Sequence, residues 1–141
     1  MAIWQFSCNI VPYRKNIMAL TANEIISWKE SSIPLPEINF LEQKASWSKD
    51  IIQYGNIDET CIEFIYDNTL EEIFCRLDLR NLTKKQLNSI VEYVQNLGAM
   101  FFVDGIVYEP KNDIIISLLR NSYAFKYCQN SNEYLKSIEI K

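Results

Sequence analysis

This chain of 141 residues contains no histidine, and its 18 acidic residues outnumber its 14 basic ones for a net charge of -4. Histidine is the commonest metal ligand and the usual general base near neutral pH, so its absence excludes Ser-His and Cys-His catalysis, the HExxH zinc helix and most transition-metal sites. A hydrophobic content of 48% with only 3 glycines and 4 prolines predicts one folded domain over residues 1–141, without linkers or low complexity.

The opening MAIWQFSCNIVPYRKN has no basic leader before an apolar run, and no stretch approaches 18 consecutive apolar residues, which predicts a cytoplasmic protein with no membrane span. Within it, Trp4, Phe6, Cys8 and Ile10 alternate with Gln5, Ser7 and Asn9, the period of a half-buried strand over residues 4–12. Thr21-Ala22-Asn23-Glu24 fits a capping box and predicts a short helix through Trp28. Pro34 and Pro36 end it, leaving residues 31–44 as a loop or edge segment. Residues 46–55 read equally as a short strand or a helical turn. Residues 59–66 and 72–80 are strand-like and flank Asp67-Asn68-Thr69-Leu70-Glu71, a connection of hairpin length rich in turn formers. In the second run Ile73, Cys75, Leu77 and Leu79 share a core face, and Phe74, Arg76, Asp78 and Arg80 share the other.

Thr83-Lys84-Lys85-Gln86 fits a second capping box, and Leu87, Ile90, Val91, Val94 and Leu97 recur at helical spacing until Gly98. Residues 99–103 and 106–109 read as strands around the hairpin dipeptide Asp104-Gly105, and Pro110 ends the pair. Asn112 or Asp113 then caps a helix carrying Ile115, Leu118 and Leu119, and residues 123–127 add a further helical turn. The order of elements predicts an α+β domain whose mainly antiparallel sheet packs its helices on one face.

The four cysteines, Cys8, Cys61, Cys75 and Cys128, lack CxxC spacing and read as reduced, buried thiols. The alternative is a disulfide from Cys61 to Cys75 across the hairpin. The charge is unevenly spread, with seven acids against two bases in residues 51–82 and near balance on either side. No basic stripe is present to release counterions from phosphate, so nucleic acid is not an expected partner. Asp58, Glu59, Glu63, Asp67, Glu71 and Glu72 form the acidic group at the hairpin. Three roles fit it: a solvated surface, a face for a basic protein partner, or, without a DxDxDG loop to gather carboxylates, a divalent metal site. Arg76, Asp78 and Arg80 fit an exposed ion-pair ladder with Glu63. Among the aromatics, Trp4, Phe64 and Phe74 read as core, whereas Trp28 and Trp47, flanked by Ser, Lys and Glu, read as partly exposed anchors for a partner.

The segment IDETCIEFIYDNTLEEIFCRLDLR followed by the capped helix TKKQLNSIVEYVQNLG, in an acidic chain without histidine, resembles the small immunity proteins of bacterial polymorphic-toxin and contact-dependent inhibition systems. That resemblance spans most of the chain and is one of layout and composition. It implies a non-enzymatic, cytoplasmic protein that needs no cofactor and occludes the active site or substrate path of a cognate toxin domain, often a basic nuclease. Two other classes fit the same composition: a hydrolase or transferase working through carboxylates and metal, and a structural adaptor subunit.

Overall fold

Alternation in the sequence becomes a sheet of seven strands in a computed structural model that describes residues 2–12, 28 and 35–139. The strands are β1 (Gln5–Pro12), β2 (Gln43–Lys44), β3 (Ile51–Tyr54), β4 (Cys61–Asp67), β5 (Thr69–Asp78), β6 (Ala99–Val103) and β7 (Ile106–Tyr108). The helices are α1 (Lys84–Asn96), α2 (Asn112–Arg120), α3 (Tyr123–Cys128) and α4 (Glu133–Glu139). Their spatial order is β2-β3-β4-β5-β1-β6-β7, and every neighbouring pair is antiparallel. Because β5 and β6 both run antiparallel to β1, they are parallel to each other, and α1 is the crossover of a split β-α-β unit. This is the α+β architecture that the order of elements predicts.

The pleat sends Phe6, Cys8 and Ile10 of β1 to the same side as Ile62 and Phe64 of β4 and Ile73, Cys75 and Leu77 of β5, where they meet the helices in one core. On α1 the buried stripe is Leu87, Ile90, Val91 and Val94, as their spacing predicts, joined by Tyr93. Thr83 Oγ1 accepts from the Gln86 amide at 3.1 Å, the forward half of the capping box, while the Gln86 side chain turns instead to Thr60. Gly98, at φ +64°, closes the helix by donating to the Gln95 carbonyl at 2.9 Å. The helix α4 has no counterpart in the sequence reading. It is held by Asn132, whose amide donates to the carbonyls of Leu79 (2.9 Å) and Leu82 (3.0 Å) while its oxygen accepts from the Tyr134 amide.

Several expectations are corrected. Trp28 is 2% exposed, not a surface anchor: its indole donates to the Ile10 carbonyl at 2.7 Å and its amide to the Glu71 carbonyl at 3.1 Å. The Thr21-Ala22-Asn23-Glu24 box and its helix, Trp28 apart, lie outside the described residues. Phe74 is half-buried on the sheet face away from the helices, with the Arg76 guanidinium 4.7 Å from its ring centre. All four cysteines are free and buried, and Cys61 pairs with Arg76 while Cys75 pairs with Ile62, so the two thiols leave opposite faces of the hairpin and cannot bridge. Of the ambiguous residues 46–55, Ile51–Tyr54 is a strand and the rest is turn.

Candidate partner-binding surface

The hairpin β4–β5 turns tightly at Asn68, whose φ of +65° suits a short polar side chain, and Asp67 pairs directly with Thr69. Two pairs further in, Ile65 faces Glu72 and Tyr66 faces Leu70, so Glu71 is the extra residue of a bulge. Its carbonyl is thereby free of the ladder and accepts from Trp28. The six acids do not form one patch. Asp67 is exposed and Glu71 and Glu72 are half-exposed at the turn end, with Asn9 Nδ2 at 3.5 Å from Glu72. Asp58 and Glu59 are exposed at the opposite end, separated from Asp67 by the length of β4, seven residues or roughly 20 Å.

Glu63 belongs to neither end. It is 3% exposed and paired with Arg76 on the sheet face away from the helices. The expected exposed ladder is therefore two separate pairs, one of them sunk into the sheet. The second is Asp78 with Arg80, a forked contact of 3.0 Å and 2.9 Å in which the carboxylate is buried and the guanidinium lies 3.9 Å from the Trp4 ring centre. Hydrogen bonding to Asp78 raises the Arg80 pKa above its ordinary value. Trp4 Nε1, Arg80 Nη2 and Gln5 Nε2 donate to the carbonyls of residues 57–59, fixing the backbone of the Asp58 end.

The turn end is completed by the loop between β2 and β3, which returns beside the β4–β5 turn because the Tyr66 amide donates to the Asp50 carbonyl at 2.9 Å. Serines flank Trp47 and both are turned inward: Ser46 Oγ donates to the carbonyls of Ser48 and Ile51, and Ser48 Oγ accepts from the Asp50 amide at 3.2 Å. With its neighbours committed to the backbone, Trp47 projects and is 77% exposed. Of the expected partner-binding residues, the structure brings Trp47, Asp67, Glu71 and Glu72 to one end of the sheet, buries Trp28 behind Glu71 at that end, and leaves Asp58, Glu59 and Glu63 elsewhere. Exposed Asp50 joins the first group and was missed because its stretch showed no clear period.

The Cys61 thiol is pushed up to about 12 by burial and by the adjacent Glu63 charge, and burial together with a hydrogen bond is at work at Cys75, where the bond to Cys8 is the larger cause. Such thiols stay protonated and are poor nucleophiles. Among the described residues no three Cys, Asp or Glu side chains are grouped to hold a metal ion, and no helix is long and apolar enough to cross a membrane. Fold and site together define an α+β protein presenting a braced tryptophan beside carboxylates. Compared with known proteins, the chain matches no family model, no curated sequence and no solved structure.

Proposed function

We propose that this chain is a binding protein that neutralises a basic toxin domain by covering its active site or substrate path, in the manner of the immunity proteins it resembles. The observation that carries this reading is Trp47, fully presented between two inward-bonded serines at the end of the sheet that also holds Asp50, Asp67, Glu71 and Glu72. Covering a tryptophan takes a large apolar area out of water while its indole N–H can still meet a polar partner, which is why tryptophan is enriched at interface hot spots. The carboxylates around it supply attraction for a cationic surface and speed its approach.

The test is to look for a basic toxin domain encoded in a neighbouring reading frame, then to co-express the chain with that domain and titrate one against the other by calorimetry. Wild-type chain is expected to protect cells and bind. Trp47→Ala is expected to weaken binding by at least about thirtyfold, as for a hot-spot residue of 2 kcal/mol, with an unchanged melting temperature. Equal affinity in the variant removes Trp47 from the interface, and failure of the wild type to bind or protect overturns the reading.

A further inference from the structure

β3 and β4 place a row of aromatic side chains on one face of the sheet. Ile52 is paired with Phe64 and Tyr54 with Ile62, so the pleat puts Ile52 and Tyr54 on the same side as Ile62, Phe64 and Tyr66, the side of the main core. Residues 35–38 form a second wall opposite them. That segment is fixed to α1, where the Tyr93 hydroxyl donates to the Pro36 carbonyl at 2.9 Å and the Phe40 ring meets the Tyr93 ring edge to face at 6.1 Å. Between it and the two strands lies a cavity of about 200 Å³.

The walls of this cavity are aromatic, aliphatic and acidic. The Tyr54 and Phe64 rings, 5.9 Å apart at their centres and 83° between planes, bound a corner with their π faces, and Tyr66 continues the aromatic wall. Leu35, Ile38 and Ile52 supply the aliphatic surface. Glu37 is exposed and is the one charged side chain of the lining, and no ion pair among the described residues involves it.

We infer that this recess binds a trimethylammonium group, carried by a small soluble cation or by a methylated lysine. The negative faces of aromatic rings attract a cation, and a corner of two rings offers two such faces to one compact charge. A primary ammonium is strongly hydrated and needs acceptors for its three donors, and a hard metal ion needs several oxygens; Glu37 alone supplies neither. A trimethylammonium has no N–H to satisfy and an apolar surface of methyl groups, which Leu35, Ile38 and Ile52 suit, while the Glu37 carboxylate balances its charge. The small volume fits a headgroup of this size better than a drug-sized ligand. The inference does not depend on the toxin reading, because it uses neither Trp47 nor the acidic turn.

The test is a millimolar titration of choline chloride into the full chain labelled with nitrogen-15, with sodium chloride at equal concentration as the reference. Saturable shifts are expected in the amide resonances of Ile38, Tyr54 and Tyr66. The neutral isostere of choline, in which a tert-butyl group replaces the trimethylammonium, is expected to bind about tenfold more weakly or not at all. Tyr54→Phe keeps the ring face and is expected to bind within about twofold of wild type, whereas Tyr54→Leu loses about tenfold. Glu37→Gln, at an exposed position, is expected to lose about two- to fivefold. Acetyl-Ala-Lys-Ala-amide with and without trimethylation of its lysine separates the two sources: tighter binding of the trimethylated peptide than of choline assigns the recess to methylated lysine, and the reverse order assigns it to a small cation. Absence of saturable shifts with both choline and the trimethylated peptide, shifts centred elsewhere, or equal binding of the tert-butyl isostere overturns the inference, the last by reducing the recess to an apolar contact. Should Tyr54→Leu fail to fold, the isostere makes the same comparison on the wild-type chain.

Discussion

Trp28 and Trp47 stand in similar local sequence, Ser-Trp-Lys and Ser-Trp-Ser, yet one is sealed in the core and the other projects. Immediate neighbours do not determine a tryptophan's burial; its place against the sheet does, and a buried indole N–H then needs an acceptor there. Trp28 finds the Ile10 carbonyl, and that pairing depends on where β1 and the β5 bulge meet, which no local pattern records. Trp28→Ala is expected to cost about 3–5 kcal/mol in urea unfolding, as the loss of a large buried aromatic, and Trp28→Phe about 1–3, since it keeps most of the volume but strands a carbonyl. A loss under 1 kcal/mol for the alanine variant would mean that the core closes without it. Cys61 yields a prediction in pH. Its folded pKa of about 12 lies above the unfolded value near 8.5, so the stability it contributes is complete below pH 8.5 and is lost as pH rises toward 12. Urea midpoints are expected to fall over that interval, and less steeply in Cys61→Ala. Parallel slopes in the two proteins would place the alkaline sensitivity in other groups.

At the scale of elements, the patterns with a full period were legible: β1, the two long strands of the hairpin, α1 and the Asp104-Gly105 hairpin all lie where alternation or helical spacing sets them. The elements that were not legible are short or rest on distant partners. β2 has two residues and exists only through Gln43 and Lys44 pairing with β3, and α4 is anchored by Asn132 to carbonyls fifty positions away. The bulge at Glu71 also escaped, because one extra residue leaves composition untouched while it reverses which side chains face out. The acidic hairpin read as one face and is two ends with a buried middle, because Asp58 and Glu59 precede β4 by its whole length from Asp67 and Glu63 is sunk into the sheet against Arg76. The turn itself makes a sharp prediction. At φ +65°, Asn68→Gly is expected to be neutral within about 0.5 kcal/mol, whereas Asn68→Val is expected to cost roughly 1–2 kcal/mol because a branched Cβ is poorly tolerated there. Equal midpoints for glycine and valine in chemical denaturation would show that the turn has relaxed to another form.

Over the whole molecule the net charge of -4 is divided by the sheet, and the division decides which charges a partner can feel. Carboxylates at the Asp67 end and the Asp58 end are separated by roughly 20 Å, more than twice the screening length of about 8 Å at physiological ionic strength. On the proposed function, a basic partner docking on Trp47 would be steered by the near group and hardly by the far one. Asp67→Lys and Asp58→Lys change net charge by the same amount at two exposed positions, so each is expected to shift stability by about 0.5 kcal/mol or less. Their effects on association should differ. With the toxin domain as partner, Asp67→Lys is expected to slow association several-fold in low salt, with most of that loss gone near 0.5 M salt, while Asp58→Lys leaves the rate within about twofold at every salt concentration. Stopped-flow fluorescence of Trp47 would follow both, since binding buries an indole that is now in water. Equal slowing by the two variants would mean that the partner senses only overall charge. Slowing by Asp58→Lys alone would move the docking face to the opposite end, where Trp4 and Arg80 hold the backbone of residues 57–59.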